Sequence, residues 1–392
     1  MKFPERFSNL PAYAFPRLRA LLDVHEGGGA PVHMTIGEPK HAFPAWVTDV
    51  ITQHAEGFNK YPQNDGIPEL RAAFCAWLAR RYGIERDPDV HVMPLNGTRE
   101  GLYNAGIALC PEEKGGKRPV VLMPNPFYQV YMLAAISAGA DPVLVPATAE
   151  TGHLPDFGAV DTDILNRTVA CYMCSPANPQ GAVADHDYWR DLIALAERYD
   201  FQIFADECYS EIYRDTPPAG VLEALDDANP ERVVAFHSLS KRSNLPGLRS
   251  GFVTAGPDTM REIKQLRTYA GAPLPLPLQH AAAAVWSDED HVIDNRAQYV
   301  EKYEMADRIL GNVPGYVAPQ AGFFLWLPVA DGEAAALELW RKTGVRVLPG
   351  GYLAREVDGT NPGQGYIRVA LVAPKAETER GLTAIRDVLY AT

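Results

Sequence analysis

Four polar clusters, each at the end of an apolar run or opening a helix, hold the side chains of this chain that could do chemistry. In FQIFADECYSEIY an apolar run delivers Asp206, with Tyr209 close behind. A carboxylate ending a buried strand is costly unless something pairs with it. A cap or salt bridge would satisfy it, and so would a metal or a protonated ring nitrogen. In VVAFHSLSKRSNLPGLRSG, Lys241 follows Ser238 and Ser240, and Arg249 comes shortly after. A lysine placed this way can be a carbonyl-reactive amine, with Ser238 and Arg249 holding an anion beside it. By itself Lys241 also reads as a solvated surface lysine. In LNGTREGLYNAGIAL a small-residue turn opens an apolar helix. The amides around Gly97, Thr98 and Arg99 then form an anion site, or a plain N-cap by Asn96 or Thr98. In CSPANPQGAV, Asn178 follows a strand inside a tight turn, an ordinary place for Asn.

Other chemistries lack their residues. No phosphate-binding G-x-x-x-x-G-K-[ST], no G-x-G-x-x-G after a strand, no G-x-S-x-G and no H-E-x-x-H occurs. The histidines form no tight cluster, so no metal site is expected. Cys75, Cys110, Cys171, Cys174 and Cys208 do not make an even disulfide set. Cys171 and Cys174 form a lone CxxC without the second pair of a zinc site. Their stretch, RTVACYMCS, reads as a buried strand, so they are expected to be structural.

The elements that must position these clusters follow from the hydrophobic pattern. PVVLMP, ADPVLVPA, TVACYMCS, FQIFAD, RVVAFHS and SGFVTAG read as strands, separated by helical patterns such as YQVYMLAAISAG and HDYWRDLIALAERYD. Nearly continuous apolar strands alternating with helices predict an α/β fold with a mostly parallel sheet covered on both faces. Ligands in such sheets sit beyond the carboxyl ends of the strands, where the Asp206, Ser238–Lys241 and Asn178 clusters fall. The last hundred residues differ. A charged helix over about Asp288–Leu310 precedes GFFLWLPV, EAAALELWRKTG, VRVLPG and YIRVALV, which predicts a smaller α+β domain. The expected division is a large domain over residues 45–290 and a small domain of residues 1–44 and 291–392 that includes the N-terminal segment. Gly27–Gly29 reads as a flexible joint, and KGGK at Lys114–Lys117 as a turn.

The chain has 392 residues and a formal net charge of −13, with 36 Lys plus Arg against 49 Asp plus Glu. An acidic surface is a poor partner for nucleic acid or an anionic membrane. No apolar run approaches the roughly 20 residues of a membrane span. The start, MKFPERFSNLPAYAFPRLRALL, is broken by charges and prolines, unlike a signal peptide. A soluble cytoplasmic protein is the expectation.

Taken together and in this order, the clusters resemble the fold-type-I pyridoxal-phosphate aminotransferases of class I and II, from TIGEP near residue 36 to YIRVAL near residue 370. The resemblance implies pyridoxal 5′-phosphate as cofactor. It implies that Lys241 links to the cofactor aldehyde and moves the proton at the substrate α-carbon. Asp206 then pairs with the pyridine nitrogen, while Tyr209 and Asn178 bond the phenolic oxygen. Tyr128 in PNPFYQVY stacks on the ring. Gly97, Thr98, Arg99, Ser238 and Arg249 take phosphate positions. Tyr61 in YPQNDGIPELR reaches the phosphate of a neighbouring subunit, which implies a homodimer with shared active sites. Arg368 grips the substrate α-carboxylate, as suits a planar guanidinium, and Gly37 lies near the substrate. Gln180 stands where the family's Asn-Pro-x-Gly turn usually has Thr.

A narrower resemblance is to the bacterial succinyldiaminopimelate aminotransferases. It rests on TIGEPKHAFP, LNGTRE, PNPFYQVY, CSPANPQGAV, DECYSEIY, SLSKRSNLPGLRSGF, LPGGYLARE and NPGQGYIRVALVAP. It implies amino transfer between L-glutamate and N-succinyl-2-amino-6-oxopimelate in lysine and diaminopimelate biosynthesis. The distal carboxylates of that substrate need a receiver, and Lys40 and His41 come first, then Arg17 and Arg19. The enzyme alternatives are an aspartate- or kynurenine-type aminotransferase or a C–S lyase. The non-enzyme alternative, a regulatory module on an aminotransferase-like domain, lacks the basic DNA-binding extension it would need.

Overall fold

Seven strands form the central sheet of the computed structural model, which describes residues 5–8, 10 and 12–391. The strands are β2 (Val92–Leu95), β3 (Val120–Asn125), β4 (Asp141–Pro146), β5 (Thr168–Cys174), β6 (Gln202–Asp206), β7 (Val233–Ser238) and β8 (Gly251–Ala255), in the order β2-β8-β7-β6-β5-β3-β4. β4, β3, β5, β6 and β7 run parallel, while β8 is antiparallel to both β7 and β2. β3, β5 and β7 are buried along their whole length, which is why they read as unbroken apolar runs. Helices Pro68–Tyr82, Thr98–Leu109, Gln129–Ser137, His186–Tyr199 and Leu276–Ser287 pack around the sheet. Cys171 and Cys174 lie buried on β5.

A three-stranded antiparallel sheet in the order β11 (Leu348–Pro349), β12 (Tyr366–Ala370), β9 (Phe324–Pro328) carries a second apolar core. Helices Asp290–Leu310, Gly332–Thr343 and Lys375–Leu389 cover it. VRVLPG does not form one strand. Val345–Arg346 (β10) pairs instead with β1 (Val32–His33), and only Leu348–Pro349 joins the sheet. β1 brings the chain's beginning alongside its end.

Gly27–Gly29 is no loose joint. A Cβ on Gly28 would lie 2.2 Å from the Arg341 carbonyl oxygen, and its N–H donates to Trp340 O at 3.0 Å. The glycine is there for close approach to the end of helix Gly332–Thr343. Among the described residues no helix is long and apolar enough to cross a membrane, and no group of His, Cys, Asp or Glu could hold a metal ion.

Candidate active site

The parallel strands deliver their polar residues to one edge. Cys174 pairs with Asp206 and Asp206 with Phe236, so the ends of β5, β6 and β7 lie side by side. Asp206 is buried. Its Oδ2 accepts the Tyr131 hydroxyl at 2.7 Å, and its Oδ1 accepts the Cys208 N–H at 3.4 Å. Burial pushes its carboxyl pKa up, against the pull of the Cys208 and Tyr131 hydrogen bonds. Tyr131 was not among the expected site residues. It lies on helix Gln129–Ser137, and the one clue in the sequence is that a tyrosine on a buried helix face must find a partner for its hydroxyl.

β7 ends at Ser238, whose Oγ accepts from Ser240 N at 3.1 Å and starts the short helix Leu239–Arg242. That cap turns Lys241 inward. Its Nζ donates to the Gly37 carbonyl and lies 5.9 Å from the Tyr209 ring centre and 5.4 Å from that of Phe323. Burial lowers the amine to about 8, and the neighbouring cations Arg368 and Arg249 act in the same direction. An amine with that pKa is partly unprotonated near neutrality and is a competent nucleophile and base.

The anion end forms where β2 and β8 meet. Gly97 caps helix Thr98–Leu109 at φ +79°, a conformation that favours glycine, and a Cβ there would fall 2.0 Å from Arg249 Nη2. The guanidinium thus lies against the Gly97 backbone at the helix start, where it donates to Pro246 O at 2.9 Å. Arg249 itself sits at φ +59°. The Thr98 hydroxyl is 3.1 Å from Cys208 Sγ. Arg99 donates from Nε to the Tyr128 hydroxyl at 2.6 Å.

Arg368, on β12, is buried. It donates from Nη1 to Asn178 Oδ1 at 2.9 Å and from Nη2 to Thr35 O at 2.7 Å, above the Phe324 ring at 4.2 Å. Its Nε has no partner among the described residues, and burial lowers the guanidinium to about 10. One face of a buried cation is left for an anion.

Other expected residues stand apart. Tyr61 is fully exposed and Lys40 is exposed. Both ring nitrogens of His41 are taken, by Asn295 and Lys302. Arg17 pairs with Glu333 at 3.3 Å and lies over the Tyr352 ring, while Arg19 points to solvent. His41 therefore does not offer a free ring nitrogen to a distal carboxylate. The residues that do converge fit pyridoxal phosphate. Arg249 and the Gly97–Thr98 amides match a phosphate, the Lys241 amine an aldehyde, and buried Asp206 a cationic ring nitrogen.

Known proteins similar to this chain share one family. A model of the family described as Aminotransferase class I and II matches residues 31–385. An LL-diaminopimelate aminotransferase of Dehalococcoides mccartyi is 33% identical over 397 residues, 99% of each chain. One from Moorella thermoacetica is 30% identical over 99% of each chain. A crystal structure of an aminotransferase from Neisseria meningitidis superposes with a TM-score of 0.94 at 39% identity, covering 98% of this chain and 99% of that one.

Proposed function

The chain belongs to the class I and II aminotransferases, which depend on pyridoxal phosphate, and on that premise we propose that it transfers an amino group between L-glutamate and N-succinyl-2-amino-6-oxopimelate. The observation that carries the reading is that a half-buried lysine amine, Lys241, and a buried guanidinium, Arg368, donate to two carbonyls of one loop, Thr35–Gly37. The bound cofactor supplies an electron-withdrawing ring. Asp206 keeps the ring nitrogen protonated by offering a buried anion. Lys241 would take the α-proton of the substrate and hand it to the carbon on the far side of the amino nitrogen. Arg368 holds the α-carboxylate along the edge of the guanidinium that carries Nε and so orients the α-C–H bond; that grip disfavours loss of the carboxylate. Tyr209 and Asn178 flank the same space, and Gly37 leaves the backbone close to the substrate.

Tyr61, exposed on one protomer, reaches the phosphate end of a second copy's site in this reading, so the active unit is a homodimer. Lys40 receives the distal carboxylate. The diaminopimelate skeleton is supported by the names of the full-length relatives, and those names favour a second reading, with unacylated LL-diaminopimelate as donor. A half-reaction screen separates the two. The loaded enzyme is mixed with L-glutamate, N-succinyl-LL-2,6-diaminopimelate, LL-2,6-diaminopimelate, L-aspartate and L-kynurenine, and loss of its visible absorbance is followed. Fast conversion by glutamate and the succinylated compound is expected. Conversion by the unacylated compound alone supports the second reading, and conversion by neither sinks both.

A further inference from the structure

One loop holds both functional cations by its backbone. Thr35 O accepts from Arg368 and Gly37 O accepts from Lys241. Backbone carbonyls position nothing unless the loop is itself fixed, and its far end is fixed by His41.

The His41 ring lies 4.6 Å from the Tyr299 ring and touches two polar groups of helix Asp290–Leu310. Its Nε2 is 2.8 Å from Lys302 Nζ, and its Nδ1 is 3.1 Å from Asn295 Oδ1. Lys302 is only 3% exposed, and its other hydrogen bond goes to Leu371 O at 3.0 Å. Burial lowers the Lys302 amine to about 8, so at pH 7 it is mostly an ammonium, which has no acceptor to offer. Nε2 must therefore present its lone pair to Lys302, and the ring proton must sit on Nδ1, donating to Asn295. Burial and the Lys302 charge both lower the imidazole pKa, which keeps the ring in this neutral form. Asn295 in turn donates from Nδ2 to the carbonyls of Lys241 and Arg242, each at 3.2 Å, while its Oδ1 also accepts from Asn244 at 2.9 Å. Every donor and acceptor of the His41 and Asn295 side chains has a direction, and the chain of bonds runs from Lys302 to the backbone of Lys241.

We propose that His41 is a positioning residue for amino transfer: with its tautomer dictated by Lys302, it braces the loop Thr35–His41 so that the Gly37 and Thr35 carbonyls hold the Lys241 amine and the Arg368 guanidinium at one spacing. The inference rests on membership of the aminotransferase family and not on which oxo acid is used. It also accounts for a histidine in this loop that does not face substrate.

Three variants test it in the loaded enzyme. His41→Phe keeps the ring against Tyr299 but leaves the buried Lys302 ammonium with Leu371 O alone and takes away one of the two donors to Asn295 Oδ1. His41→Gln restores one acceptor and one donor. His41→Phe combined with Lys302→Met removes the stranded charge. With L-glutamate, His41→Phe is expected to lower kcat roughly tenfold or more, as small misplacements of a reacting group do. The pH at which the visible absorbance of the lysine-linked cofactor changes should move as well. His41→Gln is expected to recover most of both. The double variant is expected to regain the melting temperature of the parent while keeping the low kcat. Three outcomes overturn the proposal: unchanged kcat in His41→Phe, no recovery in His41→Gln, or full recovery of kcat in the double variant. The last would assign the loss to a stranded charge and not to position.

Discussion

Replacing Tyr131 by Phe removes one oxygen atom from the pocket and tests what keeps Asp206 ionised. The Tyr131 hydroxyl is 2.7 Å from Asp206 Oδ2, and the other close donor, the Cys208 N–H, is longer at 3.4 Å. Both side chains are buried, so water does not replace the lost donor. A hydrogen bond to a charged group contributes about 1.5–3 kcal/mol. At about 1.4 kcal/mol for each factor of ten, kcat for L-glutamate should fall roughly tenfold to 150-fold. The Asp206 carboxyl pKa should rise further, because burial already pushes it up and one of the groups opposing that rise is gone. The Tyr131 ring keeps its stack on Tyr172, whose centroid is 4.5 Å away, so the fold should survive. Tyr172→Phe is the matched control. Its hydroxyl is equally buried but bonds Leu102 O at 2.7 Å, away from Asp206. That variant should lose stability and keep its rate. If Tyr131→Phe turns over within twofold of the parent, or if the control slows as much, the hydroxyl does not sustain the Asp206 charge.

Two further outcomes follow from the same pocket. Lys241, lowered to about 8 by burial, is mostly protonated at pH 7 and mostly free amine at pH 9. Its capture of an aromatic aldehyde in the cofactor-free protein should therefore rise with pH about a midpoint near 8, and a flat rate from pH 7 to 9 contradicts the reading. Because the unfolded chain holds this proton to higher pH than the folded one, this group's contribution to stability increases from about pH 8 to about pH 10.5. Arg368→Ala should cost roughly 2–5 kcal/mol of substrate binding, as truncating a buried charge partner does. A KM for L-glutamate that barely moves would deny Arg368 the role of carboxylate clamp.

The parts of this molecule legible in its sequence are those whose energetics are local. β5, β6 and β7 announce themselves because a parallel strand buried on both faces has to be apolar throughout, and the residue that ends such a run stands out. Asp206, Ser238 and Asn178 stand out in the sequence that way. β2 escaped notice because VMPL is four residues long and contains Pro94, and its place depends on pairing with β8 far along the chain. Tyr131 was hidden on a helix whose other residues are nearly all apolar. The carbonyls of Thr35 and Gly37 left no mark, since every residue has one. His41 looked like a ligand for substrate until Asn295 and Lys302 were beside it, and no spacing rule links position 41 to position 302.

The pairing of β2 with β8 has a bearing on biogenesis. Leu95 lies opposite Gly251, so the Gly97–Thr98 amides and the Arg249 guanidinium, the two halves of the anion cradle, enter the chain at widely separated times. A nascent polypeptide carries the first half through most of the sheet's synthesis with nothing to complete it. Only when β8 has emerged and slotted in between β2 and β7 are Gly97 and Arg249 brought together. In that order of events the cofactor arrives late, at a nearly finished sheet, and its capture depends on a non-local step of assembly.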